Sequence, residues 1–507
     1  MNQLSLKKNI NPDALIYLLL LILVIIFRYL VLINFGYAYT DSDQTIMWYG
    51  LKEYAASIFN EPRFYGQSYN SMLEAFVAVP LYKQGMPAHT ALPLVTSIFT
   101  LTPYVIISLF TFLKKSTKMA LVILSIPLLL PVEYSLITTI PRGFVSGLFI
   151  AGFGCISMFY PKSRWSFFLL SFTGMLGFSI NFNSVLLFLP CVAYLFLENI
   201  KNKAFYLYSF ASISLGLGIH LWVQYFYVIN PFYDFHKIDL FYSFKTLITS
   251  VKKLDIFFND VTPIFWKTGF LVLFMFVFIG VLLVRKKEYK EALPIIGIPV
   301  FILFALGIGK VHDGTLKIFY PYSRMYLAVP VLLATSLSFF KIKNNNLFYA
   351  YLILPVTFFI VQITTLNSAI KESLLPANDD KVAVATVDRF TDKCSHLQYI
   401  CHIRHIDLVV VINHPDCDFY NYGCTAFMPN FPKTLRPSYE RRTWRLLEDE
   451  NKVYTNILII DVLRNPFTDN DIIQKIPDEE AMFMIKNNTK RTMDLFNEQH
   501  IFYRPYK

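Results

Sequence analysis

Long apolar runs between residues 14 and 370 constrain this chain more than any other feature. About 20 apolar residues in a helix are enough to cross the ~30 Å hydrocarbon core of a bilayer. The composition agrees, because 55% of the residues are hydrophobic and only 16% are charged, whereas soluble domains average about 25% charged residues. A purely soluble enzyme, a disordered chain and a coiled coil are therefore excluded. The sequence predicts a polytopic α-helical membrane protein that carries one small soluble domain.

Residues 1–370 form the predicted transmembrane domain. Within it, about eleven apolar runs reach or approach the length of a spanning helix. We place these spans at roughly 14–35, 88–113, 118–136, 140–160, 165–181, 183–199, 204–228, 264–284, 292–309, 323–340 and 346–367. An odd number of spans puts the two ends of the chain on opposite sides of the bilayer.

Basic residues are concentrated in every second connection between the predicted spans, as at Lys114 with Lys115 and at Lys286 with Lys287. Cytoplasmic loops carry such an excess of Lys and Arg, so we place the N-terminus in the cytoplasm and the C-terminal domain on the periplasmic or extracellular side. The same loops account for the net charge of +11, and we expect no nucleic-acid partner. Because we recognise no targeting or retention signal, the expected location is a bacterial inner membrane, with the endoplasmic reticulum as the alternative.

Three external segments, 36–87, 229–263 and 310–322, are too long to be simple turns. Long connections in a compact protein are usually functional or disordered. The first of them is rich in aromatic residues and predicts two short helices, at about 43–58 and 70–83. Because both patterns are amphipathic, we expect these helices to lie on the membrane surface.

Residues 371–507 have the composition of an ordinary soluble domain. Short β-branched runs at 381–388, 406–413 and 456–462 predict buried strands. The segment 438–451 predicts a helix. Together these elements predict a small extracytoplasmic α/β domain with a core of its own.

Four of the six cysteines lie in this C-terminal domain and form two pairs with the same spacing. They are Cys394, Cys401, Cys417 and Cys424. On the external side such pairs indicate two disulfides, for which the sequence allows three pairings. The alternative is a zinc site, because histidines are interspersed, although zinc sites favour shorter spacings between their cysteines.

The segment Asp41-Ser42-Asp43 follows the first predicted span on its external side. Two carboxylates beside an apolar boundary are energetically unfavourable, which favours a functional role. One of them could act as a general base for a hydroxyl nucleophile, or both could bind a divalent cation. The structural alternative is that either Asp simply caps the helix that follows.

The loop continues with a mixture of aromatic rings and polar groups, as a carbohydrate-binding segment would. The candidate substrate-binding residues are Arg63, Tyr65, Gln67, Tyr69, Asn70 and Glu74. Flat rings suit the C–H faces of a sugar, and forked polar groups suit its hydroxyls. The alternative is a packing loop, since aromatic residues are common at membrane interfaces in any case.

A first span, an acidic external loop, a Y-G-Q-x-Y-N-x-x-L-E-A stretch and many further spans together resemble GT-C-type glycosyltransferases. The nearest are the relatives of protein O-mannosyltransferases and of the lipid A aminoarabinose transferase. The resemblance is specific over about residues 39–83. It implies a polyprenyl-phosphate-linked sugar donor, an external acceptor that is a lipid, glycan or protein, and a catalytic carboxylate at Asp43 or Asp41. A divalent cation is a possible cofactor.

The chain departs from the aminoarabinose transferases, because Ser71-Met72-Leu73-Glu74 stands where they have a Lys-Pro-Pro sequence after the loop glycine. Another cation must therefore meet the lipid phosphate. The candidates at external span ends are Arg142, Lys310, His312 and Arg324. Arginine suits phosphate through its planar fork, and the alternative for each residue is snorkelling towards lipid headgroups. Asn181 and Asn183 either line the same cavity or make the turn between two spans.

Two other functional classes remain open from the sequence. A transporter or flippase for lipid-linked sugars would be expected to show inverted repeats and broken helices at mid-membrane, which we do not find. A non-catalytic cell-envelope assembly protein would leave the polar first loop without a role. The sequence therefore favours an inverting glycosyltransferase.

Overall fold

In the computed structural model of the chain, helices dominate the first three quarters of the sequence and a β-sheet lies in the last quarter. The structure describes residues 12–67, 69–114, 116–231, 233, 241–342, 344–374, 384–412, 419–436, 444–445, 451–461, 473–479, 481–487 and 489–498. Among these residues, five helical stretches are long and apolar enough to cross a membrane. They are Pro12–Gly36, Ala88–Lys114, Phe182–Asn199, Lys203–Ile229 and Asn345–Ser373. The fold is thus consistent with a membrane protein.

Sixteen α-helices lie within the described residues up to 373. They are α1 (Pro12–Val31), α2 (Ser42–Ala55), α3 (Leu73–Lys83), α4 (Ala88–Lys114), α5 (Thr117–Leu129), α6 (Val132–Ile137), α7 (Ser146–Gly154), α8 (Arg164–Ile180), α9 (Val185–Asn199), α10 (Lys203–Ile229), α11 (Phe244–Val251), α12 (Leu254–Phe258), α13 (Leu271–Arg285), α14 (Tyr289–Ala305), α15 (Val329–Leu337) and α16 (Asn345–Ser373). Tighter or wider helical turns extend or connect them at Leu32–Gly36, Cys155–Phe159, Phe182–Ser184, Asn259–Val261, Gly309–His312 and Tyr322–Tyr326. The connections between the α-helices range from two residues to the long segments before α3, α11 and α15.

Several predicted spans are interrupted near one end. The span predicted at 118–136 is broken, because α5 ends at Leu129 and α6 begins only after Pro131. The span predicted at 140–160 becomes helical only with α7, because Pro141 lacks an N–H and Gly143 has a positive φ of 76°. The irregular segment that replaces its first turn carries Arg142.

Two further predicted spans begin later than expected. The helix predicted from residue 264 begins as α13 at Leu271, and the one predicted from residue 323 becomes α-helical only in α15. These shorter helices fall below the length of a complete crossing, which is why fewer than the predicted number of spans qualify. The residues freed at the helix ends form the polar connections described below.

Helix α2 does not lie on a membrane surface, and that prediction is wrong. Nine of its residues are buried, among them Trp48 with 1% of its surface exposed. The indole ring of Trp48 packs edge-on against Phe390 at 5.4 Å and lies 5.9 Å from Phe427. The aromatic pattern of the loop therefore reflects burial beneath residues of the C-terminal part.

A short antiparallel ladder joins the first loop to the start of the C-terminal part. Strand β1 (Tyr39–Asp41) pairs with β2 (Val384–Thr386), with Thr40 opposite Ala385. The buried strand predicted at 381–388 is wrong in its described portion, because β2 has three residues, is mostly exposed and pairs outside the main sheet. Thr386 then caps helix α17 (Val387–Ile403) by accepting a hydrogen bond from the N–H of Arg389.

The main sheet of the C-terminal part has five strands in the order β4-β3-β5-β7-β6. Its members are β3 (Leu408–Val411), β4 (Lys433–Leu435), β5 (Asn456–Ile460), β6 (Ile473–Lys475) and β7 (Met482–Lys486). Strands β3 and β5 lie in the predicted segments 406–413 and 456–462, and they pair in parallel. Helix α18 (Thr425–Phe427) lies between β3 and β4 in sequence, and helix α19 (Thr492–Glu498) follows β7. Most of the helix predicted at 438–451 lies outside the described residues.

One disulfide joins Cys394 of α17 to Cys424, with 5.2 Å between their Cα atoms. Cys394 is therefore not bonded to Cys401, the cysteine next to it in sequence. Cys401 is buried and free, against the prediction, because α17 carries it into the core where burial raises its thiol pKa to about 12. Cys417 lies outside the described residues.

Candidate functional site

Asp41 begins the site from the end of β1. Its side chain is fully buried, and Oδ1 accepts a hydrogen bond of 2.8 Å from the N–H of Gln44 in the first turn of α2. The structural alternative of a helix cap therefore holds for Asp41. Burial raises the pKa of its carboxyl, while Arg142 and the N–H of Gln44 act in the opposite direction.

Asp43 lies in the first turn of the same helix and faces a guanidinium from a different part of the chain. Nη2 of Arg142 donates to Oδ2 of Asp43, and Nη1 lies 3.6 Å from Oδ2 of Asp41. The Asp43 side chain is 31% exposed, whereas the other two are almost completely buried. Of the two predicted catalytic carboxylates, Asp43 is therefore the one that a substrate can approach.

Arg142 is held from several sides. It also donates to the backbone oxygen of Phe319, and its guanidinium lies 5.2 Å from the ring centre of Tyr320 and 5.5 Å from that of Phe144. The simple snorkelling alternative does not describe this side chain, because 3% of it is exposed and it points at two carboxylates. Its charge is directed into the site.

Glu74 positions the turn that presents Arg142. Its Oε2 accepts a 2.8 Å hydrogen bond from the N–H of Gly143, the next residue along the chain. Glu74 is fully buried, and direct binding of substrate by this residue stays a prediction. Burial raises the pKa of Glu74 to about 8, although the Gly143 N–H acts in the opposite direction. The carboxyl supports the backbone beside the cation.

Amides complete this support. Asn181 donates to the backbone oxygen of Gly143 at 3.0 Å and to Oδ1 of Asn70 at 2.9 Å. Asn70 in turn donates to Oε1 of Gln67 at 3.2 Å. Asn183 donates to the backbone oxygen of Arg324 at 3.3 Å and, through its N–H, to Oδ1 of Asn181. The two asparagines therefore shape their turn and also join the site.

A second charged group lies in the connection between α14 and α15. Lys310 Nζ lies 2.6 Å from Oδ2 of Asp313, and the hydroxyl of Tyr320 donates to the same oxygen at 2.8 Å. Arg324 lies over the Tyr320 ring at 3.8 Å. Burial alone would raise the pKa of Asp313, but the hydrogen bonds from Lys310 and Tyr320 outweigh it and hold the pKa below its usual range. Tyr320 thus links this group to Arg142.

Sequence reasoning missed Asp313 and Tyr320. The signal was present, since Asp313 follows a histidine and precedes Gly314 in a loop already chosen for its cations. Gly314 lets the backbone approach Arg324, because a Cβ there would lie 2.7 Å from Nη1. The position of Asp313 among these cations is the sequence signal that predicts its ion pair with Lys310.

Of two further predicted site residues, Tyr69 lies beside the charged groups and His312 is directed away from them. Tyr69 joins the site, because Lys310 Nζ lies 4.8 Å above its ring. His312 does not touch the charged groups through any described contact. Its Nε2 lies 2.8 Å from the backbone oxygen of Leu306 and 3.3 Å from Oγ of Ser250, so the ring is directed towards α11.

Arg63 and Tyr65 lie in a separate buried cluster, and their role in substrate binding stays a prediction. Arg63 donates to the backbone oxygen of Ser179 and lies 3.4 Å from Nδ1 of His220. The ring of Tyr65 is fully buried and lies 5.5 Å from that of Trp444. These contacts connect the loop between α2 and α3 to α8 through Arg63 and to Trp444 of the C-terminal part through Tyr65.

The two Asp side chains were also candidate metal ligands. Within the described ranges, no group of three or more His, Cys, Asp or Glu side chains is arranged to hold a metal ion. The guanidinium of Arg142 lies against both Asp41 and Asp43, at the position where a shared cation would bind. A divalent cation could bind there only if Arg142 moved away.

The assembled site combines anions and cations in contact. Its charged members are Asp41, Asp43, Asp313, Arg142, Lys310 and Arg324. The carboxylates can accept a proton, and the guanidinium groups can stabilise negative charge on a leaving group. A substitution at carbon with a phosphate leaving group requires both a proton acceptor and a group that stabilises the leaving anion.

Comparison of the chain with models of known protein families, with curated proteins and with solved structures finds no match. No relative therefore assigns a role to these side chains. Their roles follow from their contacts, burial and charge.

Proposed function

We propose that the chain is an integral-membrane inverting glycosyltransferase that moves a sugar from a polyprenyl-phosphate carrier to an acceptor hydroxyl. The observation that supports this proposal is the partly exposed carboxylate of Asp43 in contact with Arg142. The acceptor is a lipid, a glycan or a protein on the external face. In this proposal about eleven segments span the bilayer, and the C-terminal α/β domain lies on the same side as the site.

The reaction requires one displacement. The acceptor hydroxyl oxygen attacks the anomeric carbon while Asp43 takes its proton. The bond between that carbon and the phosphate oxygen breaks, and its electron pair leaves with the lipid phosphate. The configuration at the anomeric carbon is inverted because attack and departure occur on opposite faces.

Arg142 links donor binding to activation of the base. Without substrate, its guanidinium engages Asp43 and neutralises the carboxylate. A donor phosphate offers two oxygens to the same planar fork and so competes with Asp43 for it. When the phosphate takes one arm of the fork, Asp43 is released to accept the proton of the acceptor.

Arg324 is the second phosphate ligand in this proposal. Both described hydrogen bonds of its guanidinium go to backbone oxygens, those of Pro321 and Asp313. Lys310, by contrast, is already paired with the Asp313 carboxylate. The Asp313 carboxylate also acts on the charge of Arg324, but a phosphate oxygen that binds this guanidinium would replace only backbone acceptors among its described hydrogen bonds.

Space for the carrier lipid is available on both sides of α9. One apolar groove of about 420 Å³ lies between α8, α9 and α10, and another of about 400 Å³ lies between α9 and α14. Helix α9 begins two residues after Asn183, which is bonded to the Arg324 backbone. An isoprenoid chain in either groove would lie among apolar side chains along a helix that starts at the site.

The test is sugar transfer by the purified full-length protein in proteoliposomes, with a panel of labelled polyprenyl-phosphate hexoses and pentoses as donors. Asp43→Asn should reduce turnover by about 10²–10⁴-fold, the usual contribution of a general base. Asp41→Asn should retain more activity, because Asn caps a helix as well as Asp does. Asp392→Asn, at an exposed position on α17, is the matched control.

Full activity in the Asp43→Asn variant would refute the mechanism, and full activity in both the Asp41 and Asp43 variants would exclude either carboxylate as the base. Movement of labelled donor across the bilayer without any product would instead assign the chain to lipid transport. Turnover that stops with a chelator and returns with a divalent ion would replace the Arg142 pairing by a metal-bridged state.

A further inference from the structure

Helix α11 presents an apolar face that the described part of the chain does not cover. Phe244, Ile248 and Val251 share one side of the helix, as a spacing of three or four residues requires. Phe244 is 71% exposed and Ile248 is 61% exposed. Ser250 is buried against the protein, so a different side of the helix makes the contact with the rest of the fold. The exposed side is thus left for another occupant.

Exposed lysines border this face. Lys245 lies on α11 itself, and Lys252 and Lys253 follow its last residue. Among the described residues, no carboxylate forms an ion pair with any of these three. A helix with one apolar side and basic residues on its border is typical of segments that lie in the interface of an anionic bilayer.

The apolar face is continuous with a helix of the membrane part. Tyr242, just before α11, stacks on Phe304 of α14 with ring centres 4.8 Å apart. Val300 and Phe304 are themselves mostly exposed on α14. Two backbone hydrogen bonds of 2.9 Å hold the start of α11 beside the end of α14. The N–H of Ser243 donates to the backbone oxygen of Gly307, and the N–H of Gly309 donates to that of Phe241.

We propose that α11 lies in the bilayer interface and is a binding surface for anionic phospholipids. Phe244, Ile248 and Val251 insert among the acyl chains, and the three lysines contact the headgroup phosphates. The occupant is the lipid surface rather than a protein, because the apolar strip continues onto α14 and carries its positive charge at one border. This inference goes beyond the proposed reaction and does not depend on it.

Helix α11 also lies beside the candidate site. Oγ of Ser250 on α11 is 3.3 Å from Nε2 of His312, two residues after Lys310. The protein-facing side of α11 therefore packs against the connection that carries Lys310 and Asp313, and the proposed lipid surface is the opposite side of the same helix.

The test uses single cysteines on the full-length protein in lipid nanodiscs, at Ile248→Cys and Lys245→Cys, each carrying a nitroxide label. Val453→Cys is the control, because Val453 is an exposed apolar residue of the C-terminal part. Unsubstituted protein measures background labelling. The label at 248 should be more accessible to oxygen than to a water-soluble nickel chelate, and the labels at 245 and 453 should show the opposite order.

A second arm tests the lysines. Nanodiscs with and without phosphatidylglycerol are compared for the protein with all three lysines and for the triple Lys→Gln variant. Each lysine should change the ratio of immersed to water-exposed label at 248 by about fivefold in anionic bilayers, and the triple variant should lose this dependence. Equal nickel accessibility at 248 and 453 in every lipid would overturn the proposal. Protection of the 248 label only when protein concentration rises would assign the face to a second copy.

Discussion

Replacement of Glu74 separates the support of Arg142 from the chemistry of the site. The Glu74 carboxyl accepts the N–H of Gly143 and is completely buried. Glu74→Leu keeps a side chain of similar size but removes the acceptor. Glu74→Gln keeps an oxygen for the same N–H and imitates the protonated acid, which is the main form at neutral pH for a group whose pKa is about 8.

The magnitude follows from the hydrogen bond that each variant keeps or loses. A buried N–H left without a partner costs about 1–3 kcal/mol. Below pH 4.5, where Glu74 is protonated in both the folded and the unfolded chain, we therefore expect Glu74→Leu to lower the free energy of unfolding by about that amount, and Glu74→Gln to leave it within about 1 kcal/mol of the unsubstituted protein. The same loss of about 1–3 kcal/mol, expressed as displacement of Arg142 from its place beside Asp43, corresponds to a fall in sugar transfer of about 5–150-fold in the Leu variant.

Both quantities can be measured on the same preparations. Denaturant unfolding in detergent gives the stability, and initial rates of transfer give turnover and KM separately. A positioning role predicts that turnover falls in the Leu variant and recovers in the Gln variant. A Leu variant with unchanged stability and rate would refute this reasoning, as would a Gln variant that fails as badly as Leu.

Three further expectations concern pH, the site cation and the disulfide. Because the folded pKa of Glu74 is raised from 4.5 to about 8, its contribution to stability is complete below pH 4.5 and is lost as the pH rises through 8; unfolding curves across this range should show the loss, and Glu74→Gln should reduce it. Arg142→Lys should lower turnover by about tenfold to a hundredfold, because Lys cannot contact Asp43 and the Phe319 oxygen with one fork; an unchanged rate in the transfer assay would contradict this. Cys394→Ser should lower the free energy of unfolding by about 3–4 kcal/mol, since the disulfide closes a loop between residues 30 apart, and the difference should vanish when both proteins unfold in reductant.

The grouping of Asp43 with Arg142 and Arg324 could be predicted from the sequence. Each lies at the external end of a predicted span, and a side-of-membrane argument brings such ends together even when they are far apart in the chain. The burial of individual side chains could not be predicted. Glu74 and Arg63 look like surface polar residues in sequence, but contacts with Gly143 and Ser179, more than 60 residues away, bury them.

The fold was predictable where a pattern is local and long. Strands β3 and β5 and the first long helix fall where apolar runs place them. Helix α2 was misplaced because an amphipathic pattern does not say whether lipid or protein covers its apolar side. The late start of α7 was missed because hydropathy counts Pro141 and Gly143 as neutral while their backbones prevent a helix.

The ladder between β1 and β2 makes the order of synthesis matter. Asp41 sits in a strand whose partner, Val384, is made more than 300 residues later. A nascent chain that has made only its early helices still lacks the strand that aligns this carboxylate, so the pocket is completed only after β2 has been made and has paired with β1. Chains stopped before residue 384 should therefore integrate into the membrane but remain inert.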